Sequence, residues 1–273
     1  MRLMIKLSLL LLMGLSNPVA YADTLTFGIV PQQSAAKLAK LWTPIFSYLS
    51  DKTGESIRFS TANDIPTFEK RLLTGEYDFA YMNPYHYTVF HQVPGYEAIA
   101  KQKDKRIKGI VVVRKDSPLK ELSELNGQTL AFPSPAAFAA TVLPRAGMAL
   151  DGINVTPQFV SSHDSVYLGV SRGFFVAGGG VIRTFNNTSP EVRDQLRVLW
   201  STPTYTPHAI AVHPRVSKDK VEKIQQALLA MNNDPEGRAL LETISFKGIE
   251  LAQNADWDDV RALNIKLLDD LLK

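Results

Sequence analysis

Residues 24–54 read TLTFGIVPQQSAAKLAKLWTPIFSYLSDKTG. The stretch opens as an apolar, β-rich run, TLTFGIVP, that ends at Pro31. Ala35, Leu38, Trp42, Ile45 and Leu49 then recur at three- and four-residue spacing, one face of a helix, and Gly54 supplies the stop. A strand, a short polar loop and a helix form one α/β unit. The loop, Pro31-Gln32-Gln33-Ser34, sits at the carboxyl end of the strand, where ligands of open α/β sheets collect.

The unit repeats along the chain. ESIRFSTA (55–62) alternates like a strand, and Asp64 with Pro66 starts a helix whose inner face is Phe68, Leu72 and Leu73. YDFAYMNP (77–84) is a short buried strand, IKGIVVVRKD (107–116) a strong one and TLAFPSP (129–135) another. Ser134-Pro135 reads as a helix start, serine as N-cap and proline at the first helical position. TPQFVSS (156–162) precedes a helix capped by Ser162, LRVLWST and HAIAVHP are further strands, and the tail from Ser217 is mostly helical. This alternation predicts α/β layers with largely parallel sheets, in two sets divided near residue 107.

Composition narrows the function. The 273 residues are 45% hydrophobic and 21% charged, ordinary for a globular chain. MRLMIKLSLLLLMGLSNPVAYA (1–22) has a basic start, an apolar core and an Ala-Tyr-Ala cleavage site, the layout of a signal peptide. Without Arg2 and Lys6 the formal charge falls from +3 to +1, which argues against nucleic acid as the partner. The absence of cysteine excludes thiol and disulfide chemistry, and export without disulfides fits a bacterial periplasm. The sequons at Asn154, Asn186 and Asn187 are then unused.

Three motifs invite chemistry. VAGGGVIRTF (176–185) places three glycines near Arg183, but GxxxxGK[ST] and GxGxxG are both missing, so it is not a nucleotide loop. Either the glycines mark close backbone packing, or they let a ligand approach with Arg183 adding charge. In SHDSVY (162–167), His163 and Asp164 occupy the first turn of a helix, where free N–H groups favour anions. His163, Asp164 and Ser165 cannot form a hydrolytic triad, because neighbours on one helix point apart. The five histidines are scattered, so no metal site is expected. In AYMNPYHYTVF (80–90), Tyr81, Tyr85 and Tyr87 either pack half-buried or wall a small-ligand site.

FGIVPQQSAAKLAKLWTPIFSYLSDKTG, GEYDFAYMNPYHY, NGQTLAFPSP and SSHDSVYLGVSRG together resemble the periplasmic phosphate/phosphite/phosphonate class of ABC-transporter solute-binding proteins. The resemblance spans nearly the whole chain after the signal peptide. It implies a type II periplasmic binding protein, two α/β lobes closing like a flytrap over two crossing strands near Gly109 to Arg114 and Ala209 to His213. Lobe 1 would be 23–107 with 208–273, and lobe 2 would be 108–207. It further implies a Ser-Thr-Ser anion motif where this chain has Ala137, Phe138 and Ala139. A family tyrosine matches Ile65, and a family aspartate falls near Val176 and Ala177. Three lost hydroxyl donors, at roughly 1.5–3 kcal/mol per hydrogen bond to a charged group, disfavour phosphonate and favour a small organic anion.

The expected ligand contacts are Gln32, Ser34, Tyr81, Asn83, Tyr85, Tyr87, Ser134, Ala137, Phe138, His163 and Arg183. No cofactor, metal or catalysis is expected. The partners would be a small-molecule ligand and a membrane ABC permease, with a monomer expected. A membrane sensor, such as a histidine kinase or cyclic-dinucleotide enzyme, is the alternative partner.

Overall fold

The computed structural model describes residues 24–272; the signal-peptide reading lies outside them. The opening unit forms as its sequence dictates. Strand β1 (Leu25–Ile29) leads to helix α1 (Ala35–Thr53), where the Ser34 side chain accepts from the Lys37 amide and Gly54 closes the end at φ 73°. Leu38, Trp42, Ile45 and Leu49 are buried as the spacing requires, whereas Ala35 is exposed. β2 (Ile57–Ser60), α2 (Ile65–Leu73, capped by Asp64) and β3 (Phe79–Met82) follow. Asn83 then caps a helix that the sequence reading did not separate from the strand, α3 (Pro84–Phe90).

Two mixed sheets result. The first has the order β11-β4-β10-β3-β1-β2, with β4 Glu97–Gln102, β10 Ala209–Val212 and β11 Ile249–Leu251. The second has the order β7-β6-β8-β5-β9, with β5 Gly109–Arg114, β6 Thr129–Phe132, β7 Thr156–Phe159, β8 Ala177–Val181 and β9 Leu196–Ser201. The expectation of largely parallel sheets needs correction. β1 pairs in parallel with β2 and β3, and β6 with β7 and β8, but β5 and β10 run antiparallel to all their neighbours. The cause is the route of the chain. It leaves the first sheet after β4 and enters the second at β5, which β8 and β9 later flank; it then returns from β9 to β10, which is inserted between β3 and β4.

The expected crossings need the same correction. Gly109 to Arg114 and Ala209 to Val212 are each a central strand of one sheet, and β10 is buried throughout. Apolar runs of this kind are covered on both faces. The chain changes sheets through the segments just before them, 103–108 and 202–208, tied side by side by reciprocal backbone hydrogen bonds of 2.8 Å between Ile107 and Tyr205.

The second sheet carries α4 (Leu143–Leu150), α5 (His163–Ser171), α6 (Ile182–Asn186) and α7 (Pro190–Arg193). The helix expected from Ser134-Pro135 begins later. Residues 134–137 make a turn closed by the Ala137 amide on the Ser134 carbonyl at 3.3 Å, and a π-helical turn, Phe138–Val142, leads into α4. Proline at 135 fixes the turn, and no side chain caps residue 138.

The triple glycine is strand β8, and the short α6 follows it. A Cβ at Gly179 would fall on the carbonyl oxygen of Ala140 and 2.6 Å from the Phe132 ring. At Gly180 it would meet the Tyr167 ring. Close packing therefore explains the glycines: the π-helical turn lies directly on the strand. Gly179→Val should cost about 1–3 kcal/mol or more by overpacking. Urea unfolding should show a lower midpoint with an unchanged slope; an unshifted midpoint would show that the π-helical turn is not held against β8.

Candidate functional site

The lobes meet at Gln32, in the loop after β1. Its carbonyl accepts from the His163 amide at the start of α5, at 3.1 Å. Its side-chain Oε1 accepts from the Arg183 guanidinium. That fixes the amide orientation, so Nε2 is left to donate to His208 Nε2, 3.2 Å away. His208 is therefore neutral at that nitrogen. Its ring stacks on Tyr81 at 4.8 Å and 17°, and Arg183 lies over the same Tyr81 ring at 6.0 Å. One residue of the first lobe thus holds α5, α6 and the returning crossing segment.

Further contacts close the same face. Asn83 Nδ2 donates to the Ala136 carbonyl at 3.3 Å, and Gln33 Nε2 to Asp164 at 3.4 Å. The Phe138 ring is 1% exposed and packs edge-on against Tyr205 at 5.6 Å. The apolar core of the first lobe consequently runs on through Ala136–Ala140 and Val181 of the second.

Two spaces remain between the lobes. The first is bounded by Gln32, Asn83, Ala137, Phe138, His163 and His208, and amounts to about 10 Å³. That is room for one water at most. Ala137 and Phe138, expected as ligand walls, meet the opposite lobe directly, because the phenyl ring fills the space that small hydroxyl residues would leave. The second space, about 190 Å³, lies beside the crossing segments. Tyr81 and Arg183 line it together with His208, Thr204, Gln102, Lys105, Arg106 and Lys108, and no carboxylate is among the lining residues. Arg106 is neutralised by Asp259 at 2.7 Å. Lys105, Lys108 and Arg183 form no ion pair among the described residues. Partial burial pushes the Lys105 ammonium below its ordinary range, and Arg183, Lys247 and Lys108 push it the same way.

Of the sequence-predicted contacts, Gln32, Asn83, Ala137, Phe138 and His163 gather around the small space, and Tyr81 and Arg183 around the larger one. Four do not join them. Ser34 is an exposed cap of α1. Ser134 is buried ahead of the turn and lines neither space. Tyr85 and Tyr87 face the C-terminal segment. The Tyr85 hydroxyl accepts from the Leu268 amide at 2.9 Å, and Tyr87 donates to Asn254 at 3.2 Å while packing tilted against Trp257 at 4.5 Å. Burial pushes the Tyr87 hydroxyl up to about 12. Their hydroxyls needed partners, and the tail supplied them. Sequence reasoning missed His208, Lys105 and Lys108. The signal was KQKDKRIK (101–108), a basic run at the lobe boundary.

Two α/β lobes joined by two short crossings, with a cavity between them, define a bilobal substrate-binding protein. The chain belongs to the family described as "ABC transporter, phosphonate, periplasmic substrate-binding protein", whose model matches residues 27–257. It is similar to the phosphate-import protein PhnD of Mycolicibacterium smegmatis, 20% identical over 75% of this chain and 71% of that one. Two solved structures superpose with TM-scores of 0.82. One is a binding-protein component of an ABC phosphonate transporter from Pseudomonas aeruginosa, 16% identical, covering 88% of this chain and 85% of that one. The other is PhnD1 from Prochlorococcus marinus in complex with methylphosphonate, 18% identical, covering 90% and 98%. The family description speaks for transport and gives no support to the sensor alternative.

The buried imidazoles make the closed form sensitive to pH. Burial first, and Arg183 second, lower both His163, to about 3, and His208. An unfolded chain protonates its histidines near 6.5, so below that it binds more protons than the folded one. Stability is then complete above pH 6.5 and falls as pH drops toward 3, by about 1.4 kcal/mol per unit for His163, with His208 acting in the same direction. His163→Asn keeps a partner for Thr184, now 2.9 Å from Nδ1. Between pH 7 and pH 5 this variant should lose about 2 kcal/mol less than the parent in urea unfolding. An identical loss in both would refute the buried neutral state of His163.

Proposed function

We propose that this chain is an exported, non-catalytic binding protein that captures a small organic anion between its lobes and hands it to a membrane ABC permease, acting as a monomer. Residues 1–22 are its cleaved signal peptide, 23–107 with 208–273 its first lobe and 108–207 its second. The observation that carries the ligand reading is the interlobe cavity of about 190 Å³ lined by Lys105, Lys108 and Arg183 and by no acid. Uncompensated cations in a partly enclosed space attract anions strongly, and arginine grips a carboxylate with two parallel hydrogen bonds. Tyr81, Ile107, Val181 and Pro207 give the same cavity an apolar side, which suits an organic ligand.

Phosphate and methylphosphonate, named for two of the relatives, suit the space beside Ala137–Phe138–Ala139 less well. Methyl and phenyl groups stand there, and about 10 Å³ remains. A phosphonate would lose its hydroxyl donors and would have to displace Phe138 from Tyr205.

A thermal-shift panel on residues 23–273 tests this reading, with phosphate, phosphite and alkylphosphonates beside aliphatic and aromatic carboxylates. A ligand at about 100 times its Kd stabilises by roughly 2.7 kcal/mol, a rise of several degrees for a chain of this size. Carboxylates should shift the parent and fail to shift Arg183→Gln. A shift with phosphonates alone, retained in Arg183→Gln, would overturn the proposal.

A further inference from the structure

We propose that the ligand is a short dicarboxylate, one carboxylate held by Arg183 and the other by Lys105 and Lys108 at the hinge; this rests on the reading of the cavity as an anion site.

The cations come from two different elements of the fold. Arg183 belongs to α6, which follows β8 of the second lobe, and its guanidinium is anchored over Tyr81 and on Gln32. Lys105 and Lys108 belong to the outgoing crossing segment, 103–108. The acids of the C-terminal segment are already engaged with other members of the basic run: Asp256 and Glu250 hold Lys101 at 2.8 and 3.3 Å, and Asp259 holds Arg106 at 2.7 Å. Lys105 and Lys108 are the members of the run that line the cavity without an acid partner, and Arg183, Lys247 and Lys108 all bear on Lys105 as like charges.

A monoanion at Arg183 would leave the hinge lysines unneutralised. A molecule with a charge at each end answers the cations of both elements at once. Between them the lining is apolar, Ile107, Val181 and Pro207, which matches a hydrocarbon spacer. The volume, about 190 Å³, lies below the roughly 300 Å³ where drug-sized sites begin, so the spacer is short. The hinge position adds a consequence. Lys105 moves with the crossing segment, so a ligand bridging it to Arg183 ties the closed arrangement of the lobes to its own two ends.

Calorimetric titration tests this with isosteric pairs: succinate against succinamate, and glutarate against glutaramate. Each pair shares its length and differs by one charge. The parent should bind the dicarboxylate at least tenfold more tightly than the half-amide. In the Lys105→Gln/Lys108→Gln double variant that ratio should collapse toward one. Lys103→Gln, on the same segment but outside the cavity lining, should keep the parental ratio. Circular dichroism and Tm confirm that each variant is folded. Equal affinities within each pair, or an undiminished ratio in the double variant, would overturn the dicarboxylate assignment while leaving an anion site. Methylphosphonate bound more tightly than any dicarboxylate would overturn it as well. If no carboxylate of either charge binds, the anion-site reading itself fails.

Discussion

The closed arrangement turns on one side chain, Gln32. Arg183 donates to its amide oxygen, its amide nitrogen donates to His208, and its carbonyl accepts from the His163 amide. A buried amide must place both ends, so each partner dictates what the other can be. Because Arg183 can only donate, His208 has to accept, and its imidazole stays neutral. The contact between the lobes, the position of the guanidinium and the neutral state of His208 are therefore linked through one side chain. With that clasp made, Phe138 closes onto Tyr205, and the room left between the lobes shifts toward the hinge.

Charge is distributed unevenly around that room. The chain without its first 22 residues is nearly neutral, +1 in formal charge, so its surface as a whole steers nothing. The local balance differs. Five of the eight residues in 101–108 are basic. Acids near the C-terminus satisfy Lys101 and Arg106, which also pins the C-terminal segment to the crossing. Lys105 and Lys108 line a cavity without carboxylates. The same distribution that secures the hinge leaves positive charge at the ligand end of it. Family membership sets the architecture.

Much of the architecture was legible because apolar periodicity survives in single segments. α1, α2, α5 and the central strands followed from spacing and caps. β4, EAIAKQ, carries too few β-branched residues to announce itself, and β11 is only three residues long. α3 was hidden because Asn83 and Pro84 end a strand and start a helix at the same place. The site was half legible. Gln32, Tyr81, His163 and Arg183 stood at strand ends or on recognisable motifs. Tyr85 and Tyr87 were misplaced because their partners, Leu268 and Asn254, lie more than 160 residues away. His208, Lys105 and Lys108 were missed because only the topology shows that 103–108 and 202–208 flank a cavity.

The most direct test of where the anion sits is a crystal structure of residues 23–273 grown with bromosuccinate, with the bromine located by its anomalous signal. The account predicts a peak between Tyr81, Arg183 and Lys105, with carboxylate density at the guanidinium and at the hinge lysines. A peak beside Ala137, Phe138 and Ala139 with that ring displaced, or no bromine in the hinge-side cavity, would contradict it.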